Sequence, residues 1–186
     1  MFTIKENVKN EMIVNKSRFI TCIYKIKSVL EVKQILNNIK SEYKDATHYC
    51  YAYVINNVKR FNDDNEPSHT AGIPILNVIE NKRLNNILVV VIRYFGGVKL
   101  GKGGLVRAYS SSVTNALKDD NIIPYKKIIK KRIVFSYNDI KNVNYILKDY
   151  NITYKEYDDN VIYEFECEDN NYPDKLDSYV MKKDDV

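Results

Sequence analysis

Five of the six glycines in this 186-residue chain fall between Gly96 and Gly104. They lie in the stretch Arg93-Tyr-Phe-Gly-Gly-Val-Lys-Leu-Gly-Lys-Gly-Gly-Leu-Val-Arg-Ala-Tyr109. Glycine costs chain entropy on folding, so this concentration predicts positive φ or close approach of another group. Before it, Asn86-Ile-Leu-Val-Val-Val-Ile92 is an apolar, β-branched run that reads as a strand buried on both faces. After it, Leu105, Ala108, Tyr109, Ser112, Val113 and Ala116 recur at helical spacing on one face. Strand, glycine loop and helix form one unit, which presents unpaired N–H groups and the positive end of a helix dipole at one place.

That place carries Arg93, Lys99, Lys102 and Arg107, and no Asp or Glu occurs from Asn81 to Lys118. Cations in a first helical turn oppose the dipole by roughly 0.3–1 kcal/mol each, a cost that an anion would offset. Gly96, Gly97, Lys99, Gly101, Lys102, Gly103 and Gly104, with the two arginines, are therefore expected to bind an anion such as a nucleic-acid phosphate. The segment from Gly96 has the GxxxxGK spacing of a nucleotide phosphate loop, but Gly103 replaces the Ser or Thr that would reach magnesium. The plainer reading is that the glycines serve packing and the lysines are solvated.

Two further clusters carry charge. Asn62-Asp-Asp-Asn-Glu-Pro-Ser-His69 sits in a polar loop over residues 56–70. Asp63, Asp64, Glu66 and His69 could form an acid/base or metal set, or could shape a turn. A further reading has the loop, with Asp63, Asp64, Glu66, Ser68 and Thr70, fold against Arg93 and Arg107 and order them. The densest basic run is Lys126, Lys127, Lys130, Lys131 and Arg132. On a strand it would give either a stripe that follows phosphates or a charged edge that deters aggregation. His48 and Cys50 share a strand face; a core pair is the plainer reading than a catalytic one.

Around these clusters the chain alternates strands and helices. Two strands meet at Asn15-Lys-Ser17, and Ser28 with Glu31 forms a capping box for a helix carrying Val32, Ile35, Leu36 and Ile39. His48–Ile55 returns as a strand, Thr70-Ala-Gly-Ile-Pro74 leads into a second helix through Ile75, Leu76, Val78 and Ile79, and Ile122–Tyr125 reads as a linker. The remainder reads β-α-β-β-α, a split βαβ unit short of its last strand. The fold class expected is α+β, with one domain over residues 1–122 and a second over 126–186.

Net charge is only +5, so nucleic-acid binding would need local clustering. Cys22, Cys50 and Cys167 make no CxxC pair, which fits a reducing compartment. No signal-like N-terminus and no apolar run near the roughly 18–20 residues of a membrane span is found. A soluble, cytoplasmic protein without metal or cofactor is expected, its oligomeric state open.

Four stretches resemble one family: Lys16-Ser-Arg-Phe-Ile20; Ala46-Thr-His48 with Tyr51-Ala-Tyr53; Asp63-Asp-Asn-Glu-Pro-Ser-His-Thr-Ala-Gly72; and Arg93 to Ser110. With these the chain is similar to the IMPACT family, in particular its two-domain, YigZ-type bacterial members. The resemblance covers residues 1 to about 122; beyond that only the order of elements agrees. It implies a first domain like the second domain of ribosomal protein S-five, and a ferredoxin-like second domain similar to one in elongation factor G. It also implies regulation of translation through partners: RNA, the ribosome or a translation factor. Asn65 and His69 stand where the family commonly has glycine. A small enzyme acting on a phosphorylated metabolite at the same loop, with Asp63, Asp64 or His48 as base, and a pure protein-interaction module are the alternatives.

Overall fold

The computed structural model describes residues 1–56, 58–169 and 171–186; Asn57, inside the expected polar loop, and Asn170 lie outside them. The chain divides into two units, Met1–Tyr125 and Lys126–Val186.

In the first unit the elements run β1 (Phe2–Ile4), β2 (Val8–Val14), β3 (Ser17–Lys25), α1 (Val29–Glu42), β4 (His48–Ile55), β5 (Val58–Asn62), α2 (Gly72–Asn81), β6 (Ile87–Tyr94), α3 (Gly101–Ala116) and β7 (Ile122–Pro124). Asn15 and Lys16, both at positive φ, make the two-residue turn of the β2–β3 hairpin. Ser28 caps α1 by accepting from the Glu31 N–H at 3.3 Å, and the Glu31 carboxylate answers by accepting from Ser28 Oγ and from the Lys27 N–H.

The main sheet has the order β2-β3-β6-β4-β5, every neighbour antiparallel. β6 is central and buried on both faces, which explains its unbroken apolar sequence. Ile87, Val89 and Val91 face α2 and α3 with Phe19, Ala52, Ile75, Ile79 and Val113, while Leu88, Val90 and Ile92 face α1 with Ile20, Val32 and Ile39. Each such buried aliphatic side chain contributes roughly 1.5–3 kcal/mol.

Two connections join parallel strands across an intervening one: β3 to β4 through α1, and β5 to β6 through α2. The first steps across the sheet one way, the second steps back with its strands reversed, so equal handedness would put both helices on one face. α1 and α2 pack on opposite faces. The two crossovers are therefore of opposite hand, and one departs from the right-handed rule.

Three expectations need correction here. Residues 58–62 of the polar loop form an edge strand, β5, whose five residues are all exposed, so no hydrophobic alternation announced it. Ile122–Tyr125 is not a free linker, because β7 pairs with β1 in a small two-stranded sheet. The third correction concerns the second unit: it does not lack its last strand.

That unit contains β8 (Ile128–Phe135), α4 (Ile140–Ile146), β9 (Asn151–Tyr157), β10 (Val161–Glu168), a 3₁₀ turn at Asp174–Ser178 and β11 (Val180–Asp185). The sheet order β11-β8-β10-β9, all antiparallel, is the ferredoxin-like split βαβ arrangement. Ile133, Phe135, Tyr163 and Phe165 form its core against Val143, Leu147 and Leu176. The final strand, Val-Met-Lys-Lys-Asp-Asp185, is almost wholly exposed, and its charges concealed it.

Candidate functional site

The glycine loop is held at its start and open at its end. The Phe95 N–H donates to Thr47 Oγ1 at 2.9 Å, and the Gly96 N–H donates to Ser17 Oγ at 3.2 Å. A Cβ on Gly96 would lie 2.0 Å from the Lys16 carbonyl carbon, so this glycine serves close packing of loop against hairpin. Gly97 and Gly101 adopt φ of +82° and +68°, with open space where a side chain would stand. Gly104 packs closely against Leu100. α3 begins at Gly101, and Leu100 before it offers no capping side chain. Gly101, Lys102 and Gly103 are exposed, as are Lys99 and Arg107, and among the described residues no carboxylate pairs with Lys99, Lys102 or Arg107. The head of a 16-residue helix thus faces solvent beside three free cations.

Arg93 does not belong to that surface. It is 4% exposed, on the sheet face beneath α3, and its Nη1 donates to Glu66 Oε1 at 2.6 Å. Nη2 donates to Ser17 Oγ at 3.3 Å, and the guanidinium lies against the Phe19 and Phe95 rings. Among the described residues its Nε has no partner. Glu66 also accepts from the buried Tyr109 hydroxyl at 2.7 Å. Cys50 Sγ lies 3.3 Å from that hydroxyl and 3.0 Å from the Asp63 carbonyl. His48 Nε2 stands 3.8 Å from Glu66 Oε1, and its Nδ1 donates to the Asp64 carbonyl at 2.8 Å. Burial raises both the Cys50 thiol and the Tyr109 phenol well above their ordinary values, so both stay protonated. Cys50 is not poised as a nucleophile.

Apart from Glu66, the acidic loop acts on backbone rather than on the basic cluster. Asp63 accepts from the N–H groups of His69, Ala71 and Gly72 at 2.9, 3.0 and 2.7 Å. It therefore caps α2 from eight or nine residues upstream, with its charge at the favourable end of the dipole. Asp64 accepts from the Tyr49 N–H at 2.7 Å. Thr70 Oγ1 closes the turn on the Pro67 carbonyl, while Ser68 is exposed. Asp64, Asn65 and His69 all take positive φ, so the two departures from glycine are accommodated in the left-handed region. The loop folds against Arg93 but contributes no carboxylate to Arg107. Among the described residues no cluster of His, Cys, Asp or Glu could hold a metal ion.

The basic run is neither a free stripe nor an edge. β8 lies inside its sheet. Lys126 pairs with Glu168, Lys127 with Asp169, Lys130 and Arg132 with Glu164, and Lys131 with Asp185. Each cation already faces a carboxylate.

From periodicity Tyr109 and Ser112 read as ordinary core, and no motif in the sequence marks Ser17, at its turn, or Thr21 as members of a buried polar set. Thr21 and Ser112 form a buried hydroxyl pair at 2.5 Å. The signal available was polar atoms at positions whose periodicity is otherwise apolar. His48, Cys50 and Arg93 were further linked by strand parity once β4 is paired with β6.

The profile of the Impact N-terminal domain matches residues 15–117. The chain is 35% identical over 195 residues to the IMPACT family member YvyE of Bacillus subtilis (strain 168), spanning 100% of this chain and 89% of that one. It is 39% identical over 110 residues to the IMPACT family member YigZ of Escherichia coli (strain K12), spanning 56% of this chain and 54% of that one. A crystal structure titled as that of a hypothetical protein superimposes with a TM-score of 0.71 at 29% identity, over 89% of this chain and 84% of the other.

Proposed function

The chain belongs to the IMPACT family, and from that premise we propose that it is a non-enzymatic, cytoplasmic regulator of translation that binds RNA, free or in the ribosome. The contact surface is the head of α3 with Gly97, Lys99, Gly101, Lys102, Gly103 and Arg107. The observation that carries this reading is the contrast in charge pairing. Among the described residues Lys99, Lys102 and Arg107 face solvent without paired carboxylates, at a helix start with no capping side chain, whereas the longer basic run of the second unit is paired throughout. Phosphate oxygens fit both the cations and the open amides.

The enzymatic alternative needs a general base near this loop. Asp63 is occupied by three backbone N–H groups, Asp64 by the Tyr49 N–H, and His48 by the Asp64 carbonyl. That commitment favours binding over catalysis.

Three phosphate contacts to a single strand correspond to a slope of log K against log salt of about −2, or roughly a 20-fold loss between 50 and 200 mM salt. The triple variant Lys99→Glu/Lys102→Glu/Arg107→Glu is expected to flatten that slope and to abolish ribosome cosedimentation at moderate salt. An unchanged slope and unchanged cosedimentation would overturn the proposal.

A further inference from the structure

The face of the main sheet opposite α3 carries a second surface that the proposal above does not use. α1 and the β4–β5 hairpin enclose an open groove of about 320 Å³, within the range of roughly 300–1,000 Å³ that takes small ligands. Tyr49 and Tyr51 form its wall on β4, Lys33, Asn37 and Lys40 its wall on α1, and Asn62 closes it. Both tyrosines are half-buried, so each is anchored while part of its ring lines the groove. Tyr51 lies nearly parallel to Tyr53, at 6° and 6.5 Å between centroids, which fixes the orientation of its ring.

The charge around these rings is mostly positive. Lys40 Nζ sits 5.6 Å from the centre of the Tyr49 ring, and among the described residues neither Lys33 nor Lys40 forms an ion pair with a carboxylate. Arg60, opposite Tyr53 in the β4–β5 register, adds a third exposed cation on this side of the sheet. The opposing charges are Asp64, one of whose oxygens is taken by the Tyr49 N–H, and Asp45, whose field also reaches Tyr49. The Asn37 amide offers a donor and an acceptor to a planar heterocycle, whereas the Asn62 Oδ1 already accepts from the Asp64 N–H at 2.6 Å.

Flat aromatic walls, cations spaced along one rim, and neutral amides between them are what an unpaired base with its flanking phosphates requires. An acidic peptide would use the cations but has no counterpart for the rings; an apolar helix would leave the lysines unmatched. We infer that the groove between α1 and the β4–β5 hairpin is a stacking site for an unpaired base of single-stranded nucleic acid. The base lies against Tyr49 and Tyr51, and its phosphates are held by Lys33 and Lys40. The site shares a ligand class with the proposed α3 surface but stands on the other face of the sheet, so the two are separately testable.

The full-length protein is titrated by fluorescence anisotropy with three labelled decamers: single-stranded RNA, an abasic strand of the same backbone, and an oligo-glutamate peptide. The RNA should bind about tenfold more tightly than the abasic strand, the effect of one stacked base. Tyr51→Leu, which keeps an apolar side chain against the sheet, should erase that difference, and Lys33→Ala/Lys40→Ala should weaken both strands alike. Tyr49→Phe, whose ring is retained while the hydroxyl bond to the Tyr43 carbonyl is lost, should keep it. The α3 triple variant should also keep the difference while lowering overall affinity, so failure of either proposal is visible without the other. Equal affinity for RNA and abasic strand, survival of the difference in Tyr51→Leu, or peptide binding as tight as RNA binding would overturn the inference.

Discussion

Replacing Glu66 by Gln tests whether the centre of the first unit is held by a neutralised charge. The substitution keeps the shape of the side chain and removes only its charge, leaving the Arg93 guanidinium 5% exposed with no other carboxylate paired to it among the described residues. Breaking a buried pair from one side costs about 3–5 kcal/mol, because the surviving charge is not rehydrated. With a urea m-value of roughly 2–3 kcal/mol/M for a unit of this size, the midpoint should fall by about 1–2.5 M. The transition is best followed by amide exchange within α3 and β6, so that unfolding of the second unit does not intrude. The triple variant Glu66→Leu/Arg93→Met/Tyr109→Phe removes both charges and the hydroxyl together, and should regain most of the lost stability. Raising salt to 1 M should change neither result, since the pair is shielded from solvent ions. A midpoint shift below about 0.3 M in Glu66→Gln would refute the reasoning. So would a triple variant no more stable than the single one, since the loss could then not come from an orphaned charge.

The remaining expectations concern the backbone, a hydroxyl pair and a tyrosine. Gly96→Ala should abolish the native loop, since its Cβ would meet the Lys16 carbonyl carbon at 2.0 Å; Gly97→Ala, strained only by its φ, should cost about 1–2 kcal/mol in a urea titration. Removing one member of the Thr21–Ser112 pair, as in Ser112→Ala, should cost about 1–3 kcal/mol, whereas Thr21→Val/Ser112→Ala should be nearly neutral; equal losses in both would refute the pairing. Burial pushes the Tyr24 phenol up to about 12. A group whose folded value is raised gives stability that is complete below its unfolded value near 10 and disappears as pH climbs towards 12. Tyr24→Phe should therefore flatten the loss of stability between about pH 10 and 12, measured by denaturant midpoint.

The elements that sequence revealed are those whose environment is uniform along their length. β6 is apolar throughout because helices cover both its faces. α3 shows a clear stripe because one side packs on the sheet, and the Ser28–Glu31 box is local by construction. What escaped depends on partners remote in sequence. The contact of Arg93 with the acidic loop was legible, but its burial was not: it was grouped with the surface cations because nothing nearby announces that Glu66, 27 residues away, closes over it. The run at Lys126–Arg132 resembled a phosphate track because Glu164, Glu168, Asp169 and Asp185 reach it only through strand register or the turn beyond β10. β5 and β11 escaped because an exposed strand has no buried face to impose alternation. Asp63 was correctly placed in a turn, but its service to α2 depends on how that turn bends back.

The place of β6 in the sheet has a consequence for how such a chain is made. The β2–β3 and β4–β5 hairpins precede it in sequence, yet neither touches the other in the finished sheet except through it. During synthesis both emerge as separate ribbons, each with an inner border of unspent amides and carbonyls, until residues 87–94 leave the exit tunnel and close the seam between them. At roughly 5–20 residues per second, that interval lasts on the order of a few seconds. Throughout it, the two inner borders are open to any passing strand.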